Sequence, residues 1–163
     1  MLLRIAVKNF LSFYEEVIFD MFPNPKRKLF QSHIHNARVP LLKQAAIYGE
    51  NGAGKSNFVK VLWFLKSFVE QSGFISNNED LEEYRFQLTK EKDLPISIKV
   101  EFCQDEDYYL YEVELGKCPI ERFWESGIGI DDNKLLFERK GSELTSALVS
   151  HSDSARQLLH KNK

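Results

Sequence analysis

The segment Gly49-Glu50-Asn51-Gly52-Ala53-Gly54-Lys55-Ser56 constrains this chain more than any other stretch in it, because it matches the pattern G-x-x-x-x-G-K-[ST] in full. Glycines at those spacings let a backbone curl until successive N–H groups converge on one point, where side chains would collide. A helix opening at the Lys-Ser pair adds unpaired N–H groups and the positive end of its dipole at the same point. Such a loop is built to hold an anion. Its lysine and hydroxyl suit a polyphosphate carrying a divalent cation, with Lys55 reaching the β- and γ-phosphates and Ser56 taking a Mg²⁺ coordination position.

The flanks agree with that reading. Gln44-Ala45-Ala46-Ile47-Tyr48 has the length and composition of a buried parallel strand entering the loop. From Lys55 to Gln71 the sequence predicts a helix that is apolar on most sides, through Phe58, Val59, Val61, Leu62, Trp63, Phe64, Leu65, Phe68 and Val69. A helix of that kind is expected to pack against a sheet with little exposure.

Elsewhere the period is two. Leu3, Ile5 and Val7 alternate with Arg4, Ala6 and Lys8, and Val17-Ile18-Phe19 is placed to pair back on them, giving a hairpin over residues 1–22. Pro23, Pro25 and Lys26-Arg27-Lys28 then mark an exposed connection over 23–43. Strand, phosphate loop and helix occupy 44–72, with Gly73 and Ser76-Asn77-Asn78 stopping the helix and the acidic stretch Glu79 to Glu83 read as surface. Ile96, Ile98, Val100 and Phe102 alternate with polar residues, as do Tyr109, Tyr111, Val113 and Leu115 after the turn Gln104-Asp105-Glu106-Asp107. With Ile120–Trp124 and Leu135–Arg139, these predict an antiparallel β region over 94–140. Ser152 or Asp153 is a candidate cap for the start of a helical region at 152–163.

Composition narrows the class. The chain has 163 residues, 43% hydrophobic and 28% charged, with thirteen Phe, which is the profile of one domain with a packed interior. The most apolar run, Phe58 to Val69, is broken by Lys60 and Lys66, so no membrane span or membrane partner is expected. Met1-Leu2-Leu3-Arg4 does not open a secretory leader. Cys103 and Cys118 are expected as reduced thiols of a cytoplasmic protein. Residues 1–78 carry ten Lys/Arg against five Asp/Glu, and residues 79–163 carry twelve against nineteen. That asymmetry suits either a polyanion-binding front end or a mixture of solvated faces.

The opening Leu3-Arg4-Ile5-Ala6-Val7-Lys8-Asn9-Phe10-Leu11-Ser12-Phe13 resembles the K-N-F-x-S-F first strand of SMC/RecF-like ATPases, and Ala46 to Asn57 resembles their phosphate loop. Tyr84-Arg85-Phe86, the two long alternating strands, Ile120-Glu121-Arg122 and Leu136-Phe137-Glu138-Arg139 are similar to the "AAA family" ATP-binding proteins of bacterial phage-defence islands, including the PtuA-type ATPases of Septu and retron systems and OLD-like proteins. The resemblance implies an α/β fold, a P-loop NTPase, in which the chain is the N-terminal lobe of an ABC-type ATPase head with an antiparallel β meander. It implies ATP and Mg²⁺ as cofactors, held by Gly49, Glu50, Asn51, Gly52, Ala53, Gly54, Lys55, Ser56 and Asn57, with Ser56 on the metal. Ser12 and Phe13 fall at the nucleotide edge by the same resemblance, which also offers Phe10 or Phe13 as a ring to stack on adenine, while the commoner reading of both is hairpin core. The implied partners are a second copy meeting head to head, in a homodimer or higher homo-oligomer, and an effector nuclease or toxin, with nucleic acid as a further candidate. The implied role is ATP-dependent control of that effector in antiphage defence. A DNA-repair or chromosome-maintenance head that binds DNA is the alternative, and a non-hydrolysing assembly module is a third reading.

Hydrolysis in such heads needs an apolar strand ending in Asp-Glu and a Ser-Gly-Gly signature segment. Val17-Ile18-Phe19-Asp20 precedes the loop and lacks the second acid, Ile128-Gly129-Ile130-Asp131-Asp132 lacks the Glu, and no Ser-Gly-Gly occurs. No catalytic residue is therefore assigned, and the chain reads as a fragment or one part of a split ATPase. His33 and His35 lack a third ligand and read as loop residues. Lys26, Arg27, Lys28, Arg38 and Lys43 are candidates for nucleic-acid phosphates or for a solvated loop.

Overall fold

Alternation of apolar and polar residues places every second side chain on one face of a strand, and in this protein that face is shared by seven strands. The computed structural model describes residues 1–26, 31–36, 38–71, 79–91, 93–126 and 133–147, without the side chain of Glu79. Arg27 and Lys28, the expected helix stop at Gly73 and 76–78, the 128–132 segment and the expected helix at 152–163 lie outside the described residues.

In chain order the elements are β1 (Leu2–Lys8), β2 (Val17–Asp20), β3 (Ile34–Asn36), β4 (Pro40–Leu42), α1 (Lys55–Glu70), β5 (Ile96–Gln104), β6 (Asp107–Leu115), β7 (Ile120–Glu125), β8 (Lys134–Lys140) and β9 (Glu143–Ser146). Single 3₁₀ turns occur at Gln31–His33 and Glu79–Leu81. The large sheet runs β2-β1-β5-β6-β7-β8-β9, and each neighbouring pair is antiparallel. Ile5 faces Phe19 on one side and Val100 on the other, so β1 joins the hairpin to the meander.

One face of this sheet is apolar. Ile5, Val7, Ile96, Ile98, Val100, Tyr111, Val113 and Leu115 are buried with Val61 and Phe64 of α1. Each fully buried large side chain contributes about 2 kcal/mol by its removal from water. Polar residues of the alternating set form a charged row on the other face: Lys99, Glu112, Arg122 and Glu138 stand in register across four strands. Arg122 Nε donates to Glu138 at 2.7 Å and its Nη1 to Glu112 at 3.2 Å, while Lys99 lies 3.2 Å from Glu112. Between β5 and β6, Asp105 and Glu106 both adopt positive φ, 50° and 73°, the geometry of a type I′ hairpin turn.

Five expectations are corrected. Residues 44–48 are exposed and not in a strand, because among the described residues no neighbouring strand offers them a hydrogen-bonding ladder. The helix buries one face only. Val61, Phe64 and Ser67 are covered, whereas Val59 and Trp63 are exposed and Leu62 and Val69, also exposed, line an open groove with Phe102, Phe123 and Phe137 of the sheet, because the sheet covers only part of α1. The 23–43 connection contains the β3–β4 hairpin, whose Leu41 is fully buried against Leu3 and Tyr108. Within the acidic stretch Glu79 to Glu83, Leu81 is buried in the main core. The meander also continues one strand further, to β9.

Candidate nucleotide-phosphate site

The loop before α1 takes its shape from two glycines. Gly52 and Gly54 have φ of 85° and 86°, a left-handed conformation that strains any residue with a Cβ. A side chain on Gly54 would also come within 3.0 Å of Ser12 Oγ and 3.5 Å of Phe13 Cε1, whereas the space around Gly52 is open. Gly54 is the N-cap residue of α1 and has no side chain to satisfy the first-turn N–H groups, and that turn holds no acidic residue. Those donors and the dipole end therefore face the loop without an internal carboxylate competing for them.

Lys55 folds back over the loop that precedes it. Its Nζ donates to the carbonyl oxygens of Gly49 at 2.7 Å and Glu50 at 2.6 Å, so the ammonium is held above the curl of the loop. Ala53 N–H closes the curl by donating to Glu50 O at 3.2 Å, and Phe58 N–H donates to Gly54 O at 3.0 Å in the first turn of the helix. Glu50, Asn51 and Ser56 are exposed along the rim. The arrangement fits a polyphosphate with a divalent cation: a fixed ammonium, uncapped helix N–H groups and an exposed Ser56 hydroxyl for the metal.

Ser12 and Phe13 are brought to the same place from the start of the chain. Asn57 Nδ2 donates to Ser12 Oγ at 3.0 Å, which ties the β1–β2 turn to the helix end of the loop. Phe10 is different. Its ring is fully buried, edge-on to Phe64 at 5.2 Å and stacked with Tyr84 at 5.9 Å, so it is a core residue. Sequence reasoning missed Tyr84 and Leu94, whose carbonyl oxygens accept from Leu11 N–H and Asn9 Nδ2, both at 2.7 Å. Backbone carbonyls distant in sequence leave no local signal.

Other candidates are not gathered here. Asp20 Oδ1 accepts from Phe22 N–H at 3.2 Å, a turn role at the end of β2. His33 and His35 are exposed, and among the described residues no group of three or more His, Cys, Asp or Glu could hold a metal ion. No helix among the described residues is long and apolar enough to cross a membrane.

A glycine-shaped loop, its back-folded lysine and a helix opening on it define a P-loop nucleotide-binding domain. Residues 45–163 match the family described as "AAA domain, putative AbiEii toxin, Type IV TA system", and the chain belongs to that family of AAA-type P-loop ATPases. No curated protein matches the chain.

Proposed function

We propose that this chain binds ATP with Mg²⁺ and is the nucleotide-docking part of an ABC/SMC-like ATPase head that controls a toxin or nuclease in a bacterial antiphage system. The observation that carries the reading is the Lys55 ammonium held by the Gly49 and Glu50 carbonyl oxygens over an open loop. That contact sets the ammonium beside the uncapped first turn of α1, the pairing of charge and N–H donors that a phosphate group requires. The family description, which names a toxin and a toxin–antitoxin system, supports the defence setting.

Binding and hydrolysis separate in this reading. Mg²⁺, when bound, would neutralise charge on the β- and γ-phosphates; Lys55 and the first-turn N–H groups of α1 would hold the phosphates, and Ser56 would hold the metal. In this proposal the residue that polarises the attacking water is supplied by another part of the head. Apolar surface on residues 44–48 and on the outward side of α1, where Tyr48 is 90% and Trp63 53% exposed, supports a further protein layer over this site. Head-to-head pairing of two copies belongs to the same proposal.

Calorimetric titration with Mg-ATP, alongside a phosphate-release assay on the same chain, tests it. Saturable binding without turnover is the expected result. Turnover by the chain alone would overturn the division of labour, and absence of binding would overturn the nucleotide reading. Duplex binding that weakens steeply with salt would favour a DNA-bound head instead.

A further inference from the structure

The turn that carries Ser12 to the phosphate loop is strained and held from several sides. Asn9 and Leu11 have φ of 53° and 49°. Asparagine visits that region readily; leucine in it costs about 1 kcal/mol. Such a conformation persists only where surrounding structure over-determines it.

Each residue from Asn9 to Ser12 has its own anchor. Asn9 is 1% exposed, and its Nδ2 donates to Leu94 O at 2.7 Å and lies 3.4 Å from Pro95 O. Phe10 is clamped by Phe64 and Tyr84. Leu11 N–H donates to Tyr84 O at 2.7 Å. Reciprocal Phe10–Phe13 backbone bonds of 3.0 and 2.8 Å close the turn. At its tip Ser12 Oγ accepts from Asn57 and occupies the space that a Gly54 side chain would need. A buried amide thus fixes where a hydroxyl stands beside the phosphate loop, although Asn9 itself does not touch the loop.

We infer that Asn9 is a positioning residue for nucleotide binding, acting through Ser12. Its side chain pins the base of the turn to residues 94–95, and the pinned turn holds Ser12 against Asn57 and Gly54. The inference rests on the nucleotide reading of the loop. It adds that the site's geometry is set from residues 94–95, far away in sequence.

The test is a double-mutant cycle on Mg-ATP affinity. Asn9→Gly keeps the left-handed backbone and deletes the amide, and Ser12→Ala deletes the acceptor. Each is expected to weaken binding about tenfold, the scale of one lost hydrogen bond to a buried or site group. Combined, they are expected to weaken it no more than Ser12→Ala alone, because Asn9 acts through that hydroxyl. Additive losses would assign Asn9 to general stability and overturn the inference, as would unchanged affinity in Asn9→Gly. If Asn9→Gly melts below the working temperature, Asn9→Ser, which removes the amide donor without setting a charge against the Leu94 and Pro95 carbonyl oxygens, takes its place in the cycle, read at a temperature where the variant is folded. Failure of the unmutated chain to bind Mg-ATP would overturn the nucleotide reading and the inference together.

Discussion

The Lys55 ammonium stands 2.6 Å from the Glu50 carbonyl oxygen, spanning the loop that links the two residues. This contact gives the lysine a structural role as well as an electrostatic one. Lys55→Ala removes the charge and the cross-loop bonds together, and is expected to weaken Mg-ATP binding at least a hundredfold, about 3 kcal/mol. Titration calorimetry reads it directly. Unchanged affinity would remove the loop from the site.

Gly52 and Gly54 share a backbone conformation and differ in their surroundings, so alanine at each separates strain from crowding. Gly52→Ala should cost about 1 kcal/mol of stability from positive φ alone. Gly54→Ala should cost about 2–3 kcal/mol, because its Cβ also meets Ser12 and Phe13. Urea unfolding of the two variants measures the difference, and equal costs would mean that the turn does not press on the loop.

Glu106 occupies the second central position of the β5–β6 turn with φ of 73°. Glycine is the favoured residue there, and Glu106→Gly is expected to stabilise the protein by about 0.5–1 kcal/mol. A higher denaturation midpoint with an unchanged slope is the confirming result. A lower midpoint would show that the Glu106 side chain has a stabilising role that outweighs its backbone strain.

Arg122 organises the charged face, and its hydrogen bond holds the Glu138 carboxyl below the usual carboxylate range. A carboxyl depressed in the folded state contributes stability that is present above its unfolded pKa and lost as pH falls through its folded one. Arg122→Leu should therefore lower the thermal midpoint at neutral pH and flatten its decline under acid. If the variant and the unmutated chain show parallel acid profiles, the pair does not set the acid response.

Much of the sheet was legible because a strand's pattern is local. Ile96, Ile98 and Val100 announce an inward face whatever lies beyond it, and Gln104–Asp107 bounds a two-residue turn that the register then shows. The helix was legible in extent and wrong in burial. Apolar residues on most of its sides say that it prefers cover, and only the position of the sheet says which side receives it. The strand expected at 44–48 failed for a related reason: an extended apolar run becomes a strand only with a neighbour to bond, and neighbours are a tertiary fact.

For the site, the division falls between loop and surroundings. Gly52, Gly54, Lys55 and Ser56 supply the parts of the proposed phosphate cradle by themselves, since curl, charge and helix dipole all arise within eight residues of chain. Resemblance placed Ser12 and Phe13 nearby, and the fold supplied the distances. Only the tertiary structure decided that Asn9 and Leu11 are bent into a left-handed turn by Tyr84 and Leu94, because those partners are backbone carbonyls more than seventy residues away. A backbone carbonyl is chemically the same in every residue, so no sequence pattern marks the one that a distant side chain will use.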